Sequence, residues 1–319
     1  MEETQLSVVL PAFNERDTIA GSLAELIAAL QGRGRSWEVI VVDDGSTDGT
    51  SDRVAELIEQ QPCLRLIRLS RNFGKENALS AGLVAARGDF VAILDADLQD
   101  PPAVMLEMLA KAETGFDVVY GVRRSRRGQL TKRFCYALYY RLLKFVSEPA
   151  VPLDSGDFCV LSRRVVDALN RMPERNRFLR SLRTWVGFAQ CGHPYDRPER
   201  RTGKSKYTTA RLFDLATTGV LASSRLPLML SIHLGLLLAG IGFLWALKVL
   251  AWKVLYDTAP QGFAASIVAI LVVGGCQLIA IGVMGTYLGR VLDQAENRPS
   301  YIIDRTINCP ARDEPASKV

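Results

Sequence analysis

Apolar runs and helical segments alternate along the first part of the chain, and this alternation constrains the fold more than any other sequence feature. Five short runs rich in valine, isoleucine and leucine predict strands at residues 6–10, 37–42, 64–69, 90–94 and 117–119. Segments with helical character separate them at residues 17–30, 50–60, 72–86 and 102–112. Such alternation predicts an α/β fold in which helices pack on both faces of a mostly parallel sheet.

Length, charge and cysteine content narrow the class of protein without choosing a function. A chain of 319 residues is longer than one average domain, so we expect one larger domain with an appendage. The net charge of +5 is compatible with binding nucleotides, phosphates or an acidic membrane surface. The six cysteines form no CxxC pair, and Met1 to Gln5 do not begin a secretory signal. We therefore expect free thiols in a reducing compartment.

Two long apolar segments lie in the last third of the chain. Residues 226–247 contain no Asp, Glu, Lys or Arg, and neither do residues 263–288. About 20 helical residues cross a bilayer core of about 30 Å, so the segments predict two transmembrane helices at about 226–250 and 263–288. A pair of buried soluble helices is the alternative.

The charges around these segments predict an orientation. Arginines and lysines cluster before the first segment and after the second, whereas the link between them offers chiefly Lys253. By the positive-inside rule, both termini and the amino-terminal domain of this multi-pass protein are cytoplasmic. Basic amphipathic helices are expected in the membrane interface at about 131–147 and 207–225, with buried helices as the alternative. From Asp304 onward, we expect a loosely ordered tail.

Asp95 and Asp97 are the strongest chemical signal. The two carboxylates flank Ala96 directly after the apolar run 90–94, and Gln99 follows. Oxygen ligands of this kind bind hard divalent cations, and such a cation can stabilise a diphosphate leaving group. The pattern therefore indicates a site for an activated sugar donor. For an isolated DxD, an acidic pair that only solvates a turn is the alternative.

Polar residues also follow the first two predicted strands. Pro11, Asn14 and Glu15 come after the first strand, and Asp44 with Gly45 forms a tight turn after the second. An aspartate in such a turn can accept hydrogen bonds from a ribose hydroxyl or a base N–H. Each motif alone could be an ordinary turn or helix cap. Because the carboxyl ends of parallel strands meet at one edge, we expect all three motifs to face one cleft.

Four stretches together resemble a known family. PAFNE, VVDDGSTD, RNFGKENALSAG and LDADLQDPP, which begin at residues 11, 41, 71 and 94, closely resemble glycosyltransferase family 2. Within it they resemble the polyprenyl-phosphate glycosyltransferases, such as dolichol-phosphate mannose synthases and GtrB-type undecaprenyl-phosphate glucosyltransferases. The resemblance covers nearly the whole chain. It implies a GT-A domain over residues 1–225, a two-helix transmembrane hairpin over 226–290, a cytoplasmic tail over 291–319, and a homotetramer in the bacterial inner membrane.

The resemblance also implies roles for individual residues at the donor end of the reaction. Asp95, Asp97 and Gln99 match the metal site, which holds Mg²⁺ or Mn²⁺ against the donor diphosphate. The positions that match nucleotide-sugar binding are Pro11, Asn14, Glu15, Asp44, Lys75, Asp95 and Ala96. In the family the reaction is a single in-line displacement that inverts the anomeric carbon, with Asp97 counted among the catalytic residues.

At the acceptor end, Asp157 matches an acidic residue that related enzymes place near the acceptor. A phosphate monoester is already largely dianionic at neutral pH, so Asp157 is either a base or a positioning residue. A strand-end aspartate without a role is the third alternative. Arg123, Arg201 and Lys206 are the preferred ligands of the acceptor phosphate. As an alternative, any of these three is only a positive-inside charge that meets anionic lipid.

These expectations combine into one reaction. The chain is expected to transfer glucose from UDP-glucose to undecaprenyl phosphate at the cytoplasmic leaflet of the lipid bilayer, with no nucleic acid as partner. GDP-mannose or a UDP-4-amino-arabinose-type donor is an alternative within the same reaction. A non-catalytic membrane adaptor that keeps the fold is an alternative of a different class.

Overall fold

The computed structural model of the chain describes residues 5–32, 36–123, 155–174, 177–196, 226–256 and 262–309. These residues fall into two compact units. The sheet unit contains an eight-stranded sheet and the helices that pack on it, and the helix-pair unit contains two long helices.

The strands are β1 Leu6–Ala12, β2 Trp37–Asp43, β3 Leu64–Leu69, β4 Phe90–Ile93, β5 Val118–Arg123, β6 Ser155–Ser162, β7 Gln190–Tyr195 and β8 Ile303–Ile307. The helices are α1 Arg16–Gln31, α2 Thr50–Gln60, α3 Lys75–Ala85, α4 Pro102–Glu113, α5 Arg163–Arg171, α6 Leu179–Trp185, α7 Leu226–Tyr256 and α8 Phe263–Ala295.

The sheet has the strand order β7-β5-β6-β4-β1-β2-β3-β8. β1 is parallel to β2 and β4, β2 is parallel to β3, and β5 is parallel to β7. β6 runs antiparallel to β4 and β5, and β8 runs antiparallel to β3. The carboxyl ends of β1 to β5 therefore share one edge of the sheet with the amino end of β6. We call this the carboxyl edge, and ligands of such sheets bind there.

The parallel strands β1 to β4 are buried on both faces, as is typical of parallel strands covered by helices. In β1, Val8 and Leu10 belong to the apolar cluster that includes α1 and α4, whereas Val9 belongs to the cluster on α3. This alternation follows the two-residue period of a strand. A Cβ at Gly82 of α3 would collide with the side chain of Val9, so the glycine lets α3 lie directly against β1.

The predicted α/β organisation with a mostly parallel sheet is confirmed. Five strands and four helices occupy the positions that the alternation predicts in the amino-terminal part of the chain. Helix α3 begins at Lys75 rather than at Asn72, because Gly74 has φ 95° and ψ 152°, outside the helical region. Nothing in the alternation predicts that β6 enters the sheet antiparallel between β4 and β5.

The expectation of a loosely ordered tail from Asp304 onward is wrong for residues 304–307. They belong to β8, which pairs with β3 at the end of the sheet. Arg305 forms an ion pair with Asp52 of α2 at 2.7 Å, and the Asn308 side chain donates to the carbonyl oxygen of Pro62 at 2.7 Å. Isoleucine and threonine favour a strand here, and the strand gives the otherwise open backbone groups of β3 their partners.

The helix-pair unit consists of α7 and α8, which are 31 and 33 residues long and pack against each other. They coincide with the two predicted membrane spans. Judged by length and apolar character together, none of the described helices qualifies to cross a membrane. The transmembrane hairpin over 226–290 is therefore not confirmed. The predicted interfacial helices at 131–147 and 207–225 lie outside the described residues.

Candidate active site

The loops after β1 and β2 are interlocked at the carboxyl edge. The Asn14 N–H donates to Ser46 Oγ at 2.9 Å, and Asn14 Oδ1 accepts the Thr47 N–H at 3.0 Å. The Glu15 N–H donates to Thr50 Oγ1 at 3.0 Å. Asn14 has φ 54°, a left-handed conformation that asparagine adopts more readily than most residues. These contacts join the loop that carries Asn14 and Glu15 to the loop that carries Asp44, and the two loops form one wall.

Asp44 ties this wall to the loop before α3. Its side chain is 3% exposed, and its two carboxylate oxygens accept the N–H groups of Phe73 at 2.7 Å and Gly74 at 2.9 Å. Burial raises the pKa of Asp44, although both backbone N–H groups oppose the rise. Gly45 has φ 70°, and a Cβ there would collide with the backbone of Arg71. Gly45 therefore has a backbone conformation that favours glycine, and the Asp44 carboxylate holds the loop that leads to Lys75.

Lys75 joins the predicted donor and acceptor residues. Its ammonium lies 2.5 Å from Asp95 Oδ1 and 2.8 Å from Asp157 Oδ2. β6 runs antiparallel to β4 with Ile93 opposite Cys159, which sets Asp157 across from the loop after β4. Burial alone would lower the pKa of Lys75, but the two carboxylates hold it well above its usual range.

Asp157 has a second cationic partner. Arg180 of α6 donates from Nη2 to Asp157 Oδ1 at 2.8 Å, and from Nε at 3.3 Å. Burial would raise the pKa of Asp157, but Lys75 and Arg180 hold it far below its usual range. The Asp157 carboxyl is consequently ionised at neutral pH and in contact with cations through both oxygens. This environment suits a group that orients cations better than one that accepts a proton.

The loop after β4 carries the predicted metal ligands. Asp97 is exposed, and its Oδ1 accepts the Gln99 N–H at 3.2 Å, while Leu98 between them has φ 43°. Gln99 Nε2 is buried without a hydrogen-bond partner among the described residues. Across those same residues, no group of three or more His, Cys, Asp or Glu side chains is placed to hold a metal ion. The donors present are two carboxylates and one amide, an oxygen set that fits Mg²⁺ or Mn²⁺ rather than zinc.

Arg123, a predicted phosphate ligand, ends β5 at the same edge. Its Nε lies 3.5 Å from the hydroxyl oxygen of Tyr195, at the end of β7. The Tyr195 hydroxyl donates to the buried carboxylate of Asp100, which lies in the loop after β4. Burial and Asp100 raise the pKa of Tyr195 to about 12. The other predicted phosphate ligands, Arg201 and Lys206, lie outside the described residues.

The sequence of the sheet unit has a clear family relationship. Residues 7–169 match the model of the family described as Glycosyl transferase family 2. The chain belongs to this family.

Relatives of this family 2 glycosyltransferase extend over nearly its whole length. It is 37% identical over 303 residues to the uncharacterized glycosyltransferase YkcC of Bacillus subtilis, which covers 95% of this chain and 94% of that protein. It is 36% identical over 304 residues to the SfII prophage-derived bactoprenol glucosyl transferase of Shigella flexneri, with 95% and 98% covered. It is 35% identical over 303 residues to the prophage bactoprenol glucosyl transferase homolog of Escherichia coli K12, with 94% and 99% covered.

One solved structure is also similar, at a lower sequence identity. Glucosyl-3-phosphoglycerate synthase from Mycobacterium tuberculosis, in complex with Mn²⁺, UDP-glucose and phosphoglyceric acid, is 22% identical with a TM-score of 0.47. The match covers 68% of this chain and 78% of that chain.

The candidate site contains residues that the sequence motifs did not single out. Arg180 and Glu76 contact the residues around Asp157, and Tyr195 contacts Arg123. Glu76 lies in the stretch RNFGKENALSAG, so the motif itself pointed to its neighbourhood. No sequence pattern pointed to Arg180 or Tyr195, because each lies on an element that the alternation of strands and helices does not predict.

The remaining predicted residues lie in the elements around this site. Pro11 is within β1 and half-buried, and Ala96 is buried between the two aspartates of the loop after β4. Neither has a side chain that can donate or accept a hydrogen bond. Any role in nucleotide binding would come from the shape of the backbone there.

Proposed function

We propose that this glycosyltransferase moves glucose from UDP-glucose to undecaprenyl phosphate, with inversion at the anomeric carbon and with a divalent cation. The observation that carries the proposal is the contact of one ammonium, that of Lys75, with Asp95 and Asp157. It joins the carboxylate expected at the leaving diphosphate to the carboxylate expected at the acceptor. The names of the Shigella and Escherichia relatives, bactoprenol glucosyl transferases, support the sugar and the lipid.

At the donor end, the loop after β4 would hold Mg²⁺ or Mn²⁺ through Asp95, Asp97 and Gln99. When bound, the ion supplies positive charge that stabilises the departing diphosphate. Asn14, Glu15 and Asp44 would bind the nucleoside, with Pro11 and Ala96 shaping the wall beside it. The interlocked loops after β1 and β2 hold this wall in place before the donor arrives, which lowers the entropy lost on binding.

At the acceptor end, the lipid phosphate would attack without a strong base. Its second pKa is near 6, so a dianionic oxygen is already available at neutral pH. Asp157 therefore acts as a positioning residue that holds Lys75 and Arg180, and its low pKa supports this role over that of a base. Arg123, together with Arg201 and Lys206, would draw the phosphate to the carboxyl edge.

We further propose that the helix-pair unit associates the enzyme with the bilayer as a multi-pass membrane hairpin. Large apolar side chains on α7 and α8 are exposed, among them Leu236, Phe243, Trp245, Leu278 and Leu288. Exposed apolar surfaces of this kind are typical of regions that contact lipid or protein. Cytoplasmic termini and a homotetramer belong to the same proposal by resemblance. Extraction of membranes with alkaline carbonate tests it, since a protein released into the soluble fraction is not an integral one.

A donor competition assay tests the reaction. Purified enzyme is incubated with undecaprenyl phosphate, Mg²⁺ or Mn²⁺, and radiolabelled UDP-glucose, GDP-mannose or a UDP-4-amino-arabinose-type donor in separate reactions. We expect labelled lipid from UDP-glucose only, and none from an Asp97→Ala variant. Label from GDP-mannose alone would replace the proposed donor, and no labelled lipid from any donor would favour a non-catalytic adaptor.

A further inference from the structure

One carboxyl group beside the candidate active site has no role in the proposed reaction. Glu76 follows Lys75 in the first turn of α3, and its side chain is half-buried. Its Oε2 accepts the backbone N–H of Leu179 at 3.0 Å. Leu179 is the first residue of α6, where backbone N–H groups lack an acceptor within the helix. Glu76 thereby fixes the point at which α6 begins.

The next residue of α6 reaches the site. Arg180 directs two N–H groups at Asp157 Oδ1, with Nη2 at 2.8 Å and Nε at 3.3 Å. Its guanidinium also lies 5.5 Å from the centre of the Phe178 ring. Because Leu179 and Arg180 are adjacent, a shift of the Leu179 backbone displaces the guanidinium from Asp157.

These contacts close a ring through three elements of the fold. α3 supplies Lys75 and Glu76, α6 supplies Leu179 and Arg180, and β6 supplies Asp157. Lys75 and Arg180 each contact Asp157, and Glu76 joins α3 to α6 away from the carboxylate. Opening the ring at Glu76 leaves both cations present but frees one of them to move. The position of Glu76 therefore affects the geometry of the site without contact to a reactant.

We propose that Glu76 is a positioning residue for the acceptor side of the reaction, because it fixes the start of α6 and so holds Arg180 against Asp157. The inference rests on the proposed function in one respect, the placement of the lipid phosphate near Asp157. Burial and the charge of Asp157 raise the pKa of Glu76 to about 7, as expected for a carboxyl held close to this charged group rather than in water.

The test compares variants at Glu76 with a control on another helix. Glu76→Ala removes the acceptor, whereas Glu76→Gln keeps an amide oxygen that can accept the Leu179 N–H. Glu59→Ala is the matched control, since Glu59 is an exposed glutamate of α2. We expect Glu76→Ala to lower kcat/KM for undecaprenyl phosphate about tenfold, with the KM for UDP-glucose unchanged, and Glu76→Gln to stay within about twofold of the parent.

A double-mutant cycle with Arg180→Met separates positioning from a general loss of stability. If Glu76 acts through Arg180, adding Glu76→Ala to Arg180→Met has no further effect on kcat/KM. Additive losses, or equal rises in the KM values of both substrates, would overturn the proposal. Should Glu76→Ala fail to fold, Glu76→Met of similar volume enters the same cycle.

Hydrogen exchange measures the positioning itself, without turnover. In the full-length enzyme, Glu76→Ala is expected to speed amide exchange in the peptide that covers α6, and Glu76→Gln and Glu59→Ala are expected to leave it unchanged. Unaltered exchange in α6 would reject the role of Glu76 whether or not the enzyme uses this lipid. If the wild-type enzyme lacks lipid transferase activity, by contrast, the proposed function is rejected. The hydrogen-exchange result then still tests the role of Glu76.

Discussion

Lys75 and Asp95 form an ion pair across the carboxyl edge of the sheet, with 2.5 Å between Nζ and Oδ1. The same ammonium contacts Asp157 at 2.8 Å, so a single cation links the loop after β4 to the start of β6. Carboxylates held this close repel each other unless a cation lies between them. The side chain of Lys75 thus holds together the two carboxylates that we propose for the donor and acceptor ends of the site.

Replacing Lys75 by methionine is expected to lower kcat/KM by about tenfold to 100-fold. The change keeps the length of the side chain but leaves Asp95 and Asp157 without their shared partner, and the loss stays moderate because Lys75 is 40% exposed. Steady-state kinetics with each substrate measures it. Lys111→Met is the control, since Lys111 contacts the neutral carbonyl of Gly192 at 3.2 Å. Equal activity of the two variants would contradict the bridging role of Lys75.

Asp97→Asn is expected to weaken Mn²⁺ binding at least about tenfold and to abolish most of the transfer activity. Asp97 is the exposed carboxylate of the loop after β4, and charge is the main determinant of affinity at an oxygen site. A titration with Mn²⁺, detected by electron paramagnetic resonance, measures metal binding in the absence of substrate. Asp17→Asn, at an exposed aspartate in the first turn of α1, is the control. Chelation followed by addition of Mg²⁺ or Mn²⁺ should remove and restore activity in the parent enzyme.

Asp157→Asn distinguishes a base from a positioning residue. An asparagine keeps an oxygen that accepts from Arg180 but weakens the contact with Lys75, so we expect a loss of about tenfold in kcat. Because the cations hold the pKa of Asp157 far below its usual range, the pH profile of kcat/KM between pH 5 and 9 should be the same in variant and parent. A general base contributes about 10²- to 10⁴-fold. A loss in that range together with a changed profile would assign Asp157 as the base.

The sequence predicts the parallel strands of the sheet well. It predicts poorly which later segments of the chain bring residues into contact at the candidate site. Apolar runs between turn residues specify β1 to β5 and α1 to α4, because those strands are buried on both faces and their helices follow at once. β6 and β8 join the sheet antiparallel from distant parts of the chain, and no local pattern records such pairing. Asp157 is recognised by resemblance alone. Arg180 sits on a seven-residue helix, too short for a periodic signal, so its contact with Asp157 emerges only from the fold.

Glu76→Gln is expected to become more stable relative to the parent as pH rises from about 5 to about 8. Burial and Asp157 raise the pKa of Glu76 from 4.5 to about 7, against the opposing charges of Lys75 and Arg180. Arg177 also interacts with this carboxyl. Between these pKa values the folded state binds more protons than the unfolded state, so the parent loses stability as pH rises, and glutamine does not titrate. Thermal unfolding at pH 5 and pH 8 measures the Tm of Glu76→Gln minus the Tm of the parent, and this difference should increase by a few degrees between the two pH values. A difference independent of pH would contradict the raised pKa.

Tyr195→Phe is expected to raise the KM for undecaprenyl phosphate about three- to tenfold and to leave the KM for UDP-glucose unchanged. The variant keeps the ring that meets Phe158 edge to face at 5.4 Å between centroids, but it removes the hydroxyl that contacts Arg123. With its pKa raised to about 12, the phenol stays protonated at neutral pH and donates to buried Asp100.

Loss of that donor should also lower Tm by a few degrees, since the Asp100 carboxylate then lacks one hydrogen bond. Tyr120→Phe on β5 is the matched control, because it keeps the ring that the Arg183 guanidinium covers at 5.3 Å. A lower Tm with an unchanged KM for the lipid would mean that Tyr195 stabilises the end of β7 without holding Arg123. Binding of the lipid phosphate by Arg123 would then not require the contact of Tyr195 with the loop that carries Asp100.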